Sequence, residues 1–322
     1  MPWGDLPNPG KRLKEDDLTD AERELFDRLP RPPATADIRA TNIWIVEWLS
    51  PNEQHTGRVL HDWMKERRPG WSAYCPCKNK TQVISAIDRA TIRAQQSEMI
   101  PVLHIEAHGG DVGLQGPDGT GGLELLTWNE LTGPLQKLNL TTRCNLVVVV
   151  AACVGFARIK ALSRGPRAPA VALVGPDARV MPSNLLSGTK EFYRLWMDKS
   201  PKLDDIAASA SRKAGTVGFE WEGFATLVYE ALIQHLIISM RPDEHRRRVE
   251  RIRARRLAEN ELSAAEIERR LTLLPAVHSP ADLQRMWDEM FMIDLYPANR
   301  ERFGVDMTAI AEMLEASQQR LW

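Results

Sequence analysis

The hydrophobic and polar positions follow no sustained pattern at the start of the chain. Residues 1–37 intersperse prolines with charges and leave room for one helix between Leu18 and Leu29, capped by Thr19 or Asp20. From residue 41 strands and helices alternate. The run 42–50 is β-branched and aromatic, hence a strand. Residues 52–67 fit a helix with Val59, Leu60, Trp63 and Met64 on one face. A strand over 71–77 and a helix over 81–97 follow, the latter with Val83, Ile84, Ile87 and Ile92 inward. Residues 101–110 read as a strand running into glycines, and 109–122 as turn and hairpin chemistry. A short helix over 128–138, strands over 145–153 and 170–175, and a helix over 184–197 complete the alternation. Such alternation predicts an α/β fold, a mostly parallel central sheet with helices on both faces. The continuous apolar run 146–151 belongs at its centre.

After residue 203 the pattern is helical, with candidates over 203–214, 224–240, 242–274, 281–295 and 307–321. The expected division is an N-terminal extension (1–37), an α/β domain (38–235) and a helical C-terminal region (236–322).

Composition narrows the class. The 322 residues carry 42 basic and 43 acidic side chains, so no global field draws the chain to nucleic acid or an anionic membrane. Hydrophobic residues make up 43% and charged residues 26%, which suits a globular protein and excludes collagen-like and disordered classes. No apolar run is long enough to span a bilayer. The N-terminal segment has no apolar stretch behind its charges, so it does not read as a secretory signal. Four cysteines make no disulfide framework. A cytoplasmic protein is expected.

Two strand ends carry chemistry. In HIEAHGG, His108 stands just past one strand and Gly109 follows it; in VVVVAACVGF, Cys153 stands just past the most apolar strand. Strand carboxyl ends of a parallel sheet line one edge, so His108 and Cys153 are expected to be neighbours. A thiol, with an ordinary pKa of about 8.5, needs a nearby base to react near neutral pH. A helix over 156–163 would add its N-terminal dipole. Gly109 permits close backbone approach, and its N–H with that of Cys153 suits an oxyanion hole.

The order His108-Gly109, then Ala152-Cys153-Val154-Gly155, resembles the signature of caspase-like (clan CD) cysteine peptidases. HIEAHGG, LTWNEL (126–131), the 146–156 segment, VALVGPDARV (171–180) and FYRLW (192–196) look more specifically like a bacterial CHAT domain, a branch related to separase. The resemblance spans roughly residues 40 to 235. It implies a caspase-like sandwich, endopeptidase activity through an acyl-enzyme, Cys153 as nucleophile and His108 as general base. It also implies that the amides of Gly109 and Cys153 form the oxyanion hole and that no metal or organic cofactor is needed. CHAT-type proteins often act in bacterial stress or antiviral modules, switched on by a partner and cutting a dedicated protein. The chain departs from the family at Ala151, where caspases carry Gln and metacaspases commonly Asp, so no P1 preference is inherited. Asp177, past the next strand, and Asp111 are the remaining pocket candidates, each also readable as a turn residue.

Other clusters yield to simpler readings. His104, Glu106 and His108 share one face at period two, which suggests metal ligands, but strand packing accounts for the first two. Cys75 and Cys77, with His55 and His61 upstream, lack zinc-site spacing. Residues 241–256 hold eight arginines against three acids. Acids follow and no aromatics interleave, so a solvated helix or a protein-docking surface is favoured over nucleic-acid contact. No phosphate loop and no serine-hydrolase elbow are present. The leading expectation is a caspase-like cysteine endopeptidase with a protein substrate, its activator meeting residues 236–322. The alternatives are a catalytically silent scaffold of the same fold and a nucleic-acid-binding effector led by 241–256.

Overall fold

The computed structural model describes residues 18–33, 38, 40–97, 99–153, 165–199, 203–215, 218–244 and 279–321, with a few positions between 246 and 254. Its centre is a six-stranded sheet built from β1 (Asn42–Glu47), β2 (Ser72–Pro76), β3 (Pro101–Glu106), β7 (Val147–Ala151), β8 (Ala172–Pro176) and β9 (Phe219–Gly223). The strand order is β2-β1-β3-β7-β8-β9. All neighbours pair in parallel except β9, which runs antiparallel to β8. Burial follows position in the sheet. Every residue of β3, β7 and β8 is buried, whereas the edge strands β2 and β9 are mostly half-exposed. That is why β7 and β8 read as unbroken apolar runs, whereas β3 buries His104 and Glu106 among its apolar residues.

Helices cover both faces. On one face α2 (Thr56–Arg67) packs against α5 (Pro182–Lys199), which also meets α6 (Leu203–Ala214). On the other, α3 (Lys80–Ser97) packs against α4 (Trp128–Thr141). The molecule is thus the expected α/β sandwich, consistent with a caspase-like one. The inward face of α3 is lined by Val83, Ala86, Ile87, Ala90 and Ala94, while Ile92 is half exposed. The buried positions 83, 87, 90 and 94 keep the helical period, and Ile92, two residues past Ala90, falls on the other face. Val59 of α2 is likewise turned out, leaving Leu60 and Met64 as the buried pair.

A second sheet hangs from the carboxyl edge of the first: β4 (His108–Gly109), β5 (Gly113–Pro117) and β6 (Leu123–Thr127), all antiparallel. Trp48, fully buried just after β1, fixes it in place. Its indole N–H donates to the Pro117 carbonyl at 2.8 Å, and its ring fills the space a side chain at Gly116 would need.

The remaining described elements close the amino edge and one flank. They are α7 (Phe224–Ser239), α8 (Pro280–Met290), α9 (Arg300–Phe303) and α10 (Met307–Leu321). The segment before β8 is clamped to the end of α8. Arg167 pairs with Asp294 through two bonds and reaches the Glu289 carbonyl, and the Ala168 N–H donates to the Met290 carbonyl. Arg302 donates to the Cys144 carbonyl just before β7. The N-terminal helix α1 (Asp20–Arg28) lies on α7, with Phe26 against Tyr229. No helix among the described residues is long and apolar enough to cross a membrane. In the arginine-rich 241–256 segment Arg241 pairs with Glu22, and Arg246 and Arg247 pair with Asp243 and Glu244 within the segment, whereas all of 255–278 lies outside the described residues.

Candidate active site

The site follows from strand register. β3 and β7 pair from Val102↔Val147 to Glu106↔Ala151, a constant offset of 45. His108 lies two residues past Glu106, and Cys153 two residues past Ala151, so the same offset sets them level at the carboxyl edge. The backbones touch here. A Cβ built on Gly109 would stand 2.1 Å from the Cys153 carbonyl oxygen and 3.0 Å from Ala152 Cβ. No residue but glycine fits without pushing the two strand ends apart. Gly109 is thereby seated against the Cys153 backbone at its carbonyl.

His108 belongs to the second sheet. The chain bends at Ala107, and His108 pairs with Gln115, which in turn pairs with Leu125. Residues directly opposite in antiparallel strands share a face. His108, Gln115 and Leu125 therefore form one row on the exposed side, while Leu114 and Leu126 face the core. The imidazole is half exposed, and its Nε2 meets Glu53 Oε1 at 2.5 Å. Cys153 is half-buried, with Sγ 3.9 Å from the Val180 carbonyl. Val154, Gly155 and the helix expected over 156–163 lie outside the described residues.

The other three cysteines are unsuited to nucleophilic work. Burial raises the thiol of Cys75, pushes that of Cys77 up to about 12 and that of Cys144 up to about 11. None is a thiolate near neutral pH. His61 meets Ser72 and stacks on Tyr74, and His55 meets Glu47, so neither histidine turns to the two cysteines. Among the described residues, no group of three or more His, Cys, Asp or Glu is placed to hold a metal ion.

His104 and Glu106 part company with His108. Both are fully buried: His104 Nδ1 meets the Tyr193 hydroxyl at 2.9 Å, and its Nε2 meets Glu106 Oε1 at 3.0 Å. The Thr56 hydroxyl donates to the other Glu106 oxygen. Beside it, Glu47 accepts from the Gly57 N–H at 2.8 Å, from the Tyr74 hydroxyl at 2.5 Å and from His55 Nδ1 at 2.8 Å. Glu47 thus satisfies N–H groups in the first turn of α2, whose own N-cap residue, His55, makes no side-chain cap, while Glu106 holds the Thr56 hydroxyl. Burial and the Glu47 carboxylate together raise the Tyr74 hydroxyl far above its ordinary range, so it remains a donor.

The two pocket candidates are exposed. Asp177 opens the 177–181 loop, whose Val180 carbonyl faces Cys153, and its N–H donates to the Gly218 carbonyl. The carboxylates of Asp177 and Glu220 both approach Gly218. Asp111 sits in the turn between β4 and β5, on the histidine side of the edge. Ala151 is buried in the core and offers no polar group.

Sequence reasoning missed Glu53, Glu47 and Val180. The Ser50-Pro51 pair marks a turn, but nothing local says that Glu53 returns to a histidine 55 positions later. No family model matches the sequence, and no curated protein matches it.

Proposed function

We propose that the chain is a cytoplasmic cysteine endopeptidase of the caspase-like CHAT type, with Cys153 as nucleophile and His108 as general base. One observation carries this reading: the level β3–β7 register, with Gly109 seated on the Cys153 carbonyl. In the mechanism it supports, the free His108 ring nitrogen takes the thiol proton and the thiolate adds to the scissile carbonyl. The amides of Gly109 and Cys153 meet the charge that develops on the carbonyl oxygen. The C–N bond breaks as the imidazolium protonates the leaving amine, and water then hydrolyses the thioester with His108 again as base. The exposed row His108, Gln115 and Leu125 lies against the substrate path, with Asp177 and Asp111 on its rim. In this reading the helices after residue 236 and the N-terminal extension meet an activating protein partner in a bacterial stress or antiviral module. Nucleic acid is not contacted directly.

The test is labelling of the full chain by a thiol-reactive peptidyl probe, with the modified residue located by mass spectrometry. Labelling at Cys153 is expected to fall by about 100-fold in His108→Ala. Labelling that ignores His108, or spares Cys153, hands the fold to the scaffold reading. Binding to nucleic acid that weakens steeply with salt, and with neutralised arginines in 241–256, would favour the third reading.

A further inference from the structure

We infer that Glu53 is a positioning residue for His108, making the candidate site a Cys153–His108–Glu53 triad. The inference rests on the peptidase reading and goes beyond its dyad. Its basis is the 2.5 Å contact between Glu53 Oε1 and His108 Nε2, made across 55 positions of sequence. Glu53 is itself held. Its second oxygen accepts from the Ser50 N–H at 2.5 Å, and its own N–H donates to the Ser50 carbonyl at 3.0 Å. Pro51, second in that turn, restricts the backbone further. On one side of the turn, the Trp48 N–H is tied to the Glu106 carbonyl at 2.7 Å. On the other, His55 and the first turn of α2 are tied to buried Glu47. The carboxylate is therefore presented from a loop pinned at both ends, not from a free side chain.

The chemistry of the contact fixes the tautomer. Burial alone would raise the Glu53 carboxyl, but the Ser50 N–H and His108 outweigh it and hold the group below its usual range. An ionised carboxylate only accepts, so His108 Nε2 carries the hydrogen and Nδ1 is the lone-pair nitrogen. Nδ1 is then the atom that takes the proton from Cys153 Sγ. The resulting imidazolium keeps its Nε2–H on Glu53, whose negative charge offsets the positive charge just formed.

The experiment uses the full chain and iodoacetamide, which needs no substrate recognition. Second-order alkylation of Cys153 is followed by mass spectrometry at pH 7 in the parent, Glu53→Gln, His108→Gln and the double variant. His108→Gln is expected to slow alkylation by about 100-fold, and Glu53→Gln by about tenfold. The double variant is expected to be no slower than His108→Gln alone, because Glu53 acts through the imidazole. Glu53→Asp sets the charge back by one methylene and gives the same non-additive pattern at smaller amplitude, which keeps the test open if the glutamine variant does not fold. A Glu53→Gln rate equal to the parent's, with His108→Gln slow, overturns the positioning role and leaves the dyad standing. Additive slowing in the double variant overturns it too, since Glu53 would then act on the structure alone. A His108→Gln rate equal to the parent's removes the dyad and the triad together.

Discussion

Gly109 is the residue on which the site turns, because two backbones meet there with no room for a methyl group. A Cβ at 109 would overlap the Cys153 carbonyl oxygen, whereas one at Gly110 would find nothing closer than the Gly113 oxygen at 3.9 Å. The adjacent glycines therefore separate steric demand from flexibility. Gly109→Ala is expected to destabilise the protein by about 1–3 kcal/mol and to slow Cys153 alkylation, because the strand ends must part. Gly110→Ala is expected to stay within about 0.5 kcal/mol of the parent. Chemical denaturation of both variants checks this, and equal stabilities would mean that the two backbones are not in contact. Part of the site was visible in the sequence for the same geometric reason. Two chemistry-bearing residues each follow an apolar strand, and adjacent parallel strands end together. Glu53 was not visible, because its partner is supplied by the fold and not by any spacing along the chain.

At the scale of elements, local pattern and burial agree where a strand is doubly covered and diverge at the edges. The apolar runs of β7 and β8 are legible in the sequence, and β3 is legible despite its buried His104 and Glu106. β9 lacks a continuous apolar run; its short Phe219-Glu220-Trp221-Glu222 alternation is that of an edge strand with one face exposed. The faces of α2 and α3 were partly misassigned for want of a rule that favours small inward residues. Helix α1 shows a different logic, an element held by a buried charge. Thr19 and Glu22 form a capping box, and fully buried Glu22 also takes two bonds from Arg241, at 2.7 and 2.5 Å, just past α7. Burial opposes the ionised form of Glu22, but Arg241 and the Thr19 N–H outweigh it, so its carboxyl lies below the ordinary range. A folded-state pKa below the unfolded value, about 4.3, stabilises the protein above that pH, and the contribution fades as pH falls through the folded value. Glu22→Gln is thus expected to cost about 2–3 kcal/mol at pH 7, part of it from leaving Arg241 without its charge partner. The gap between variant and parent should narrow below about pH 4. Urea unfolding of both proteins at pH 7 and pH 3 measures it, and a gap that is constant or wider at pH 3 would refute the role given to the charge.

For the whole molecule, the question is whether the C-terminal helices fold with the sheet or beside it. The described core is one cluster, running from Leu18 through the strands to Leu314. Trp287 is central to the C-terminal part. It is 2% exposed, its indole N–H donates to the Phe303 carbonyl at 2.7 Å, and its ring meets Phe291 at 4.6 Å and Tyr229 of α7 at 6.3 Å. Tyr229 in turn meets Phe26 of α1, so aromatic contacts link both ends of the chain. The Arg167–Asp294 clamp and the Arg302 bond tie the same helices to the segments that lead into β8 and β7. These contacts sit at the amino edge of the sheet, while His108 and Cys153 sit at the carboxyl edge. The fully buried β7 runs from one edge to the other. Trp287→Ala should cost about 3–5 kcal/mol through lost burial and the cavity left behind. If the core is cooperative, that loss lowers one calorimetric transition for the whole chain, and the protection of Cys153 from a thiol reagent during unfolding is lost at the same temperature. Two transitions, with only the lower one moved by the substitution, would show that the C-terminal helices fold as a unit of their own and that the amino-edge clamp does not couple them to the sheet.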